Sequence, residues 1–221
     1  MSQIFNREIE KLKQHLIALF KLVESNFSLS CQALMEEDEG AAEEVFNQEK
    51  EVNSKKVELQ EECFKIVALH QPVAFDLRFI MATLKFANDL ERIGDLAVGI
   101  ANRTIALKNL PMMEAPFKVY KMADHVHSMM SCGLNALINL DRQQAVEVMK
   151  NEDAVDEMHR HNLQVIKKRI VEQPEHIDAL VNYLSVSRYL ERIADHVTNL
   201  GEEVVYIVDG DIVTHLNSKY D

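Results

Sequence analysis

The sequence predicts an all-α protein of two tandem three-helix bundles, with six long antiparallel helices that arose by internal duplication. Glycine (6) and proline (4) are scarce and 47% of residues are hydrophobic, a composition typical of a helical protein with a substantial core. Apolar residues recur at steps of three and four, the period of an amphipathic helix. The stretch 90–95 (LERIGD) recurs one hundred residues later as 190–195 (LERIAD), which indicates the duplication.

The first half of the chain predicts three helices. Apolar periodicity runs over 4–35 and ends in the acidic stretch 36–40, which contains the first glycine. A second helix is expected over 41–69. Pro72 then marks a boundary, because proline suits the first turn of a helix and disrupts its interior. The third helix is expected to run from this proline through LERIGD to about residue 107.

The second half repeats this plan after a linker. Residues 109–116 hold two of the four prolines, so we place the division between bundles 1–110 and 111–221 there. Helices are then expected over 117–139 and 142–172, with Asp141 as the N-cap of the second. Pro174 marks the next boundary as Pro72 did, and the last helix carries LERIAD to about residue 209.

Charge and composition exclude several classes of function. The formal net charge of −12 disfavours nucleic acid and anionic lipid as partners, and suits hard cations or basic protein surfaces. Cys31, Cys63 and Cys132 are far apart without a CxxC spacing, which predicts free thiols in a reducing compartment. We find no signal-peptide pattern and no 18-residue apolar run, and therefore expect a cytoplasmic protein that does not span a membrane.

The repeated stretch carries the candidate chemistry. Glu91 and Asp95 lie four residues apart, so their carboxylates share one helix face, and Glu191 and Asp195 repeat this geometry. A helical wheel places both pairs nearly opposite the apolar stripe. Surface carboxylates beside an arginine usually form a solvated face with weak ion pairs, and that alternative stays open for any single pair.

The second helix of each half supplies facing partners. Glu49 and Asn53 have the same spacing in the first half, as do Glu152 and Asp156 in the second. Consecutive long helices pack antiparallel, and the distances from the turns place these pairs at similar heights to the LERI pairs. Clustered carboxylates ionise together only with difficulty unless a cation is present. Oxygen ligands without cysteine favour iron, manganese, magnesium or calcium over structural zinc.

Other kinds of site receive little support from the sequence. A ferritin-like di-iron centre needs ExxH pairs turned into the core, and none is present. His159 and His196 stand near the carboxylates but have no counterparts in the first half, so we expect them to be surface histidines. The sequence contains no glycine-rich phosphate loop, no GxSxG motif and no paired catalytic histidine and cysteine.

The combination of Pro72, the Asp-Leu-Arg run 76–78 and LERIGD, within a duplicated three-helix plan, resembles the PhoU family over nearly the whole chain. The resemblance implies two bundles with multinuclear surface metal clusters, usually of iron. We therefore expect iron first, with manganese, zinc, magnesium or calcium as open alternatives. It assigns the metal ligands to the matching positions Glu49, Asn53, Glu91, Asp95, Glu152, Asp156, Glu191 and Asp195. Asn53 replaces an expected acid and Gly99 stands where the second half has Asn199, so we expect the second-half site to be the stronger.

The resemblance also implies a role. Members of the family are cytoplasmic negative regulators of phosphate uptake and phosphate-starvation signalling, acting through the Pst phosphate ABC transporter and a PhoR-type sensor histidine kinase. We therefore expect a non-enzymatic regulator that works by protein contact, and a homodimer. The alternatives are a metal-dependent enzyme, such as a phosphatase or an oxidase using the same carboxylates, and a helical scaffold whose acidic pairs bind nothing.

Overall fold

Six long helices form the part of the chain that the structure describes, which is residues 3–211 of a computed structural model. The fold class is the predicted one, and no strand occurs among these residues. Residues 1–2 and 212–221, which complete the two predicted bundles, lie outside the described part. The helices are α1 (Gln3–Glu36), α2 (Glu39–His70), α3 (Ala74–Lys108), α4 (Val119–Asn139), α5 (Arg142–Glu172) and α6 (Ile177–Asp209), with a 3₁₀ turn at Pro174–His176 before α6.

The N-termini of α2 and α5 are built alike. The Asp38 side chain accepts hydrogen bonds from the backbone N–H groups of Gly40 and Ala41, and Asp141 does the same for Gln143 and Gln144. These bonds satisfy donors that have no partner inside the helix. The Asp141 cap was predicted. In the first half, however, the helix break falls at residues 37–38, and Gly40 lies inside α2 because the Asp38 cap holds it there.

Each half forms a three-helix bundle, and the two bundles pack side by side. Helix α1 packs on α2 and α3, α4 packs on α5 and α6, and the bundles meet mainly along α3 and α6 and also where α1 contacts α4. One large cluster of buried hydrophobic residues includes members from all six helices, for example Leu16, Leu59, Ile80, Val126, Val155 and Leu190. The two predicted bundles therefore share a continuous core. None of the helices described between residues 3 and 211 has the length and hydropathy needed to cross a membrane.

The duplication is visible as approximate two-fold symmetry where α3 meets α6. Asn199 of α6 donates a hydrogen bond to Asp89 of α3, at 3.2 Å. The equivalent positions, one hundred residues away, are Gly99 and Tyr189. A Cβ atom on Gly99 would lie 2.9 Å from the Tyr189 ring, so glycine makes room for this ring. The difference between Gly99 and Asn199 thus reflects how the two bundles pack together.

Candidate metal centre

The second half brings three predicted ligands together. Asp156 of α5 and Glu191 and Asp195 of α6 each place a carboxylate oxygen within 4.8 Å of the other two. Asp156 reaches this position because α5 and α6 run antiparallel in direct contact. Glu152, one turn earlier on α5, is partly buried but does not belong to this triad. Among residues 3–211, this is the one group of three acidic, histidine or cysteine side chains close enough to hold a metal ion.

Glu191 has an environment that suits a metal ligand. Its side chain is only 13% exposed and one carboxylate oxygen accepts a hydrogen bond from Arg188, at 2.7 Å. The other oxygen, Oε2, is buried and has no hydrogen-bond partner. Burial raises the pKa of the Glu191 carboxyl, and the neighbouring charge of Asp195 raises it further. A divalent cation among the triad would satisfy the buried oxygen and neutralise the repulsion, so the residues present fit such an ion.

The wheel predicted that all these carboxylates face outward, which is only partly correct. The Asp95 side chain is 43% exposed, whereas Glu91 and Glu191 are 22% and 13% exposed. A wheel treats a helix as isolated, but α2 and α5 extend along the same face and bury the glutamates in the groove between helices.

The first-half residues are engaged in a different way. Asn53 donates a hydrogen bond to Glu49 through its side-chain nitrogen. The Nζ atom of Lys56 lies 3.5 Å from Glu91, and Arg92 donates to Asp95 at 3.1 Å. Protein cations therefore already neutralise Glu91 and Asp95, whereas Glu49 is held by the neutral Asn53 amide. Asn53 was recognised as a departure from the family pattern, but Lys56 was not. At the offset of 103 residues that relates α2 to α5, Lys56 replaces His159, and this comparison would have identified it.

The two histidines near the triad, expected at the surface, are half-buried, and neither belongs to the group that could hold a metal ion. His159 lies with Nδ1 3.0 Å from the buried Ser187 hydroxyl, and burial lowers the pKa of its imidazole, assisted by the charge of Arg188. His196 places Nδ1 2.8 Å from an Asp89 carboxylate oxygen, in the contact between the two bundles. Both positions are set by contacts between helices that the sequence of one helix does not reveal.

Comparison with known proteins identifies the family. The model of the PhoU domain matches residues 16–104 and 119–204, one segment in each half. The chain belongs to the PhoU family. The two matched segments contain all eight metal-ligand positions that the resemblance predicted, four in each segment.

PhoU relatives match over most of their length. The chain is 35% identical to a phosphate-specific transport system accessory protein PhoU homolog from Pseudomonas putida, over 99% of this chain and 86% of the relative. The crystal structure of PhoU from Pseudomonas aeruginosa superposes with a TM-score of 0.89 at 34% identity, covering 94% of this chain and 100% of that one. The phosphate transport system regulatory protein PhoU from Streptococcus pneumoniae gives a TM-score of 0.88 at 28% identity, covering 95% and 99% of the two chains.

Proposed function

We propose that this PhoU-family chain is a cytoplasmic negative regulator of phosphate uptake and phosphate-starvation signalling, and that it acts by protein contact without catalysis. The relatives support the regulatory part, because their names describe an accessory protein and a regulatory protein of phosphate transport. The family resemblance supplies the partners, which are the Pst phosphate transporter and a PhoR-type sensor kinase. A homodimer is part of the same prediction.

We propose further that the regulator carries metal, with iron expected first, at the second-half triad. The observation that carries this proposal is the buried Oε2 atom of Glu191, which lacks a partner while two other carboxylates lie beside it. Asp156, Glu191 and Asp195 would hold the ion. A bound cation would supply positive charge that neutralises the triad, and so would change what this acidic surface presents to a protein partner.

Elemental analysis of matched variants tests the metal proposal. Asp156→Asn removes a carboxylate from the triad and should lower the metal bound per chain at least about ten-fold after purification from the native host. Asp95→Asn, the first-half control, should leave most of the metal in place, because Arg92 already neutralises Asp95. Equal metal content in both variants, or none in the wild type, would overturn the assignment to the second half.

Co-purification tests the regulatory proposal independently. The wild-type protein, tagged at its native expression level, should retain the ATP-binding subunit of a phosphate transporter or a sensor kinase. Its deletion should raise phosphate uptake in phosphate-replete medium. Normal uptake after deletion, or metal-dependent turnover of a phosphate monoester by the purified protein, would contradict a non-enzymatic regulator and favour the enzyme alternative.

A further inference from the structure

A cavity of about 520 Å³ lies between the start of α4 and the second half of α5, apart from the carboxylate triad. Its apolar lining includes Phe117, Met122 and Met158. Pockets that bind small ligands typically have volumes of about 300–1,000 Å³, apolar walls and a few placed polar groups. This cavity therefore has the size and lining of a small-molecule site.

The first half contains the same groove in a closed form. Between α1 and α2 its volume is only about 80 Å³. The residues that line it are His15, Ala18, Lys55, Glu58 and Leu59, and at the offset of 103 residues they correspond to Lys118, Lys121, Met158, His161 and Asn162 of the open cavity. The groove between α1 and α2 is thus the closed counterpart of the open cavity between α4 and α5. Comparing their lining residues shows which side chains differ between the closed and the open form.

The difference in helix length explains why the second cavity is open. Helix α1 has 34 residues and α4 has 21, although both end at equivalent positions. The extra turns of α1 continue along α2, where Lys11 and His15 contact Glu62. In the second half the chain leaves the bundle at Phe117, whose ring packs edge-on against Tyr183 at 6.3 Å between centroids. The turns that would extend α4 along α5 are therefore missing.

The residues exchanged between the two grooves favour an anion. Ala18 and Glu58 of the first half become Lys121 and His161 and His15 becomes Lys118, whereas Lys55 becomes Met158. The open cavity also has one acidic lining residue, Glu157, which forms an ion pair with Arg160. Two lysines on an apolar cavity are notable in a chain of net charge −12. Asn162, which replaces Leu59, is 5% exposed and its side-chain nitrogen donates to Ser187 Oγ at 3.1 Å. Its amide oxygen can accept a hydrogen bond from a donor on the ligand, such as a ring N–H group, but not from the anionic group itself.

We propose that this cavity binds a small aromatic organic anion, with its ring against Phe117, Met122 and Met158 and its negative group between Lys118 and Lys121. Thioether sulfur makes favourable contacts with aromatic rings, so two methionines and a phenylalanine form a suitable surface for a flat ring. The lysine ammonium groups bind carboxylate, phosphate or sulfonate oxygens through charge-assisted hydrogen bonds.

The floor of the cavity is connected to the metal centre. Ser187 accepts the hydrogen bond from Asn162 and also contacts His159. Ser187 lies one turn before Glu191 on α6, and His159 lies one turn after Asp156 on α5. The first half has Leu59, Lys56 and Ala87 at the equivalent positions, so this polar connection belongs to the open cavity alone. Binding of the anion should therefore alter the binding of metal at the triad, and this coupling, unlike the binding of the anion itself, rests on the proposed function.

Fluorescence titration with 1-anilinonaphthalene-8-sulfonate, an aromatic anion, tests the binding. In EDTA the wild type should show one saturable site, and the neutral analogue N-phenyl-1-naphthylamine should bind at least about ten-fold more weakly. The double variant Lys118→Ala/Lys121→Ala should weaken binding of the anion at least about ten-fold. The matched control, Lys167→Ala/Lys168→Ala on the exposed surface of α5, should bind like the wild type. Equal affinity of all three proteins, or no saturable site, would overturn the proposal.

Asn162→Leu gives a second test, because it installs the residue that the first-half groove accommodates at this position. It should weaken the anion several-fold while thermal unfolding stays cooperative. For the coupling, the dissociation constant of the anion should differ at least about three-fold between Mn²⁺ and EDTA in the wild type, and be equal in Ser187→Ala. A wild type that binds Mn²⁺ but shows no difference would overturn the coupling. If the wild type binds no Mn²⁺, the metal proposal fails, but the titration in EDTA still tests whether the cavity binds the anion. The two proposals can therefore fail separately.

Discussion

Glu191 combines three properties that oppose its ionisation in the absence of a cation, and together they outweigh the charge of Arg188, which favours it. Its side chain is largely buried, Asp195 and Asp156 lie beside it, and its Oε2 atom has no hydrogen-bond partner. A buried polar atom without a partner costs roughly 1–3 kcal/mol. The metal-free protein therefore carries a local destabilisation at neutral pH, and binding of a cation would remove it.

Glu191→Gln should therefore stabilise the metal-free protein at pH 7, by about 1 kcal/mol, because the amide is neutral and donates to the adjacent carboxylates. Burial raises the pKa of Glu191 in the folded protein above its ordinary value of 4.5. Protonation of Glu191 therefore stabilises the folded protein fully below pH 4.5, and this stabilisation is lost as the pH rises through the raised pKa. The advantage of the variant should accordingly vanish below about pH 4.5. Urea unfolding in EDTA as a function of pH measures this.

Glu91→Gln is the control for that experiment, since Lys56 already neutralises Glu91. It should give no stabilisation at pH 7. If the two variants behave alike, the buried oxygen of Glu191 is not the origin of the effect.

The Tyr189 ring leaves too little room for a side chain at Gly99, so substitution of Gly99 should destabilise the protein. Gly99→Ala places a Cβ atom 2.9 Å from that ring, and Tyr189 is also held by Arg103, which donates to its hydroxyl at 3.3 Å. Overpacking of this kind costs about 1–3 kcal/mol, although alanine favours the helix intrinsically. Urea unfolding should show that Gly99→Ala destabilises the protein much less when Tyr189→Ser is already present. If Gly99→Ala is equally destabilising in both backgrounds, the packing explanation is contradicted.

These residues show how far the sequence can specify the site. The spacing of Glu91 and Asp95, and of Glu191 and Asp195, fixes their common helix face because the α-helix has a constant period. Whether a carboxylate then meets a lysine or another carboxylate depends on distances between helices. Lys56 and His159 occupy equivalent positions on α2 and α5, and the first forms an ion pair with Glu91 while the second contacts Ser187.

At the level of single helices, the Asp38 and Asp141 caps allow a matched prediction. Asp141→Ala removes hydrogen bonds to the backbone of Gln143 and Gln144 and one from the Gln144 side chain, whereas Asp38→Ala removes two backbone bonds. Each loss should cost about 1 kcal/mol, or roughly 2–4 °C in Tm for a chain of this size, with Asp141→Ala the larger. Thermal unfolding followed by circular dichroism measures both, and Asn at either position should retain most of the stability.

Helix ends were predicted from the sequence within a few residues because caps, prolines and apolar periodicity are local signals. The start of α4 illustrates what these signals leave out. A helix was expected from residue 117 and begins at Val119, next to the point where the Phe117 ring packs against Tyr183 of α6. Phe117 also lines the open cavity beside α5. That the short α4 leaves a cavity open beside α5 becomes visible only when α4 is compared with α1 in the structures of the two bundles.

For the whole molecule, the shared core bears on whether the predicted bundles 1–110 and 111–221 are independent. The main hydrophobic cluster includes residues of all six helices, and α3 packs along α6. Charged contacts join the halves as well, since Lys85 of α3 donates to Glu203 of α6 at 2.6 Å and Arg78 donates to the Ile207 carbonyl at 3.3 Å. A structure connected in this way should unfold as one cooperative unit.

Leu90→Ala and Leu190→Ala test this directly, because both leucines are fully buried at equivalent positions in the two halves. Each variant should lose about 2–5 kcal/mol. If the chain is one cooperative unit, calorimetry will show a single transition in the wild type and in both variants, shifted to lower temperature, with the calorimetric and van't Hoff enthalpies equal. Independent bundles would instead give two transitions, of which Leu90→Ala lowers one and Leu190→Ala the other, because each cavity would then destabilise only the bundle that contains it.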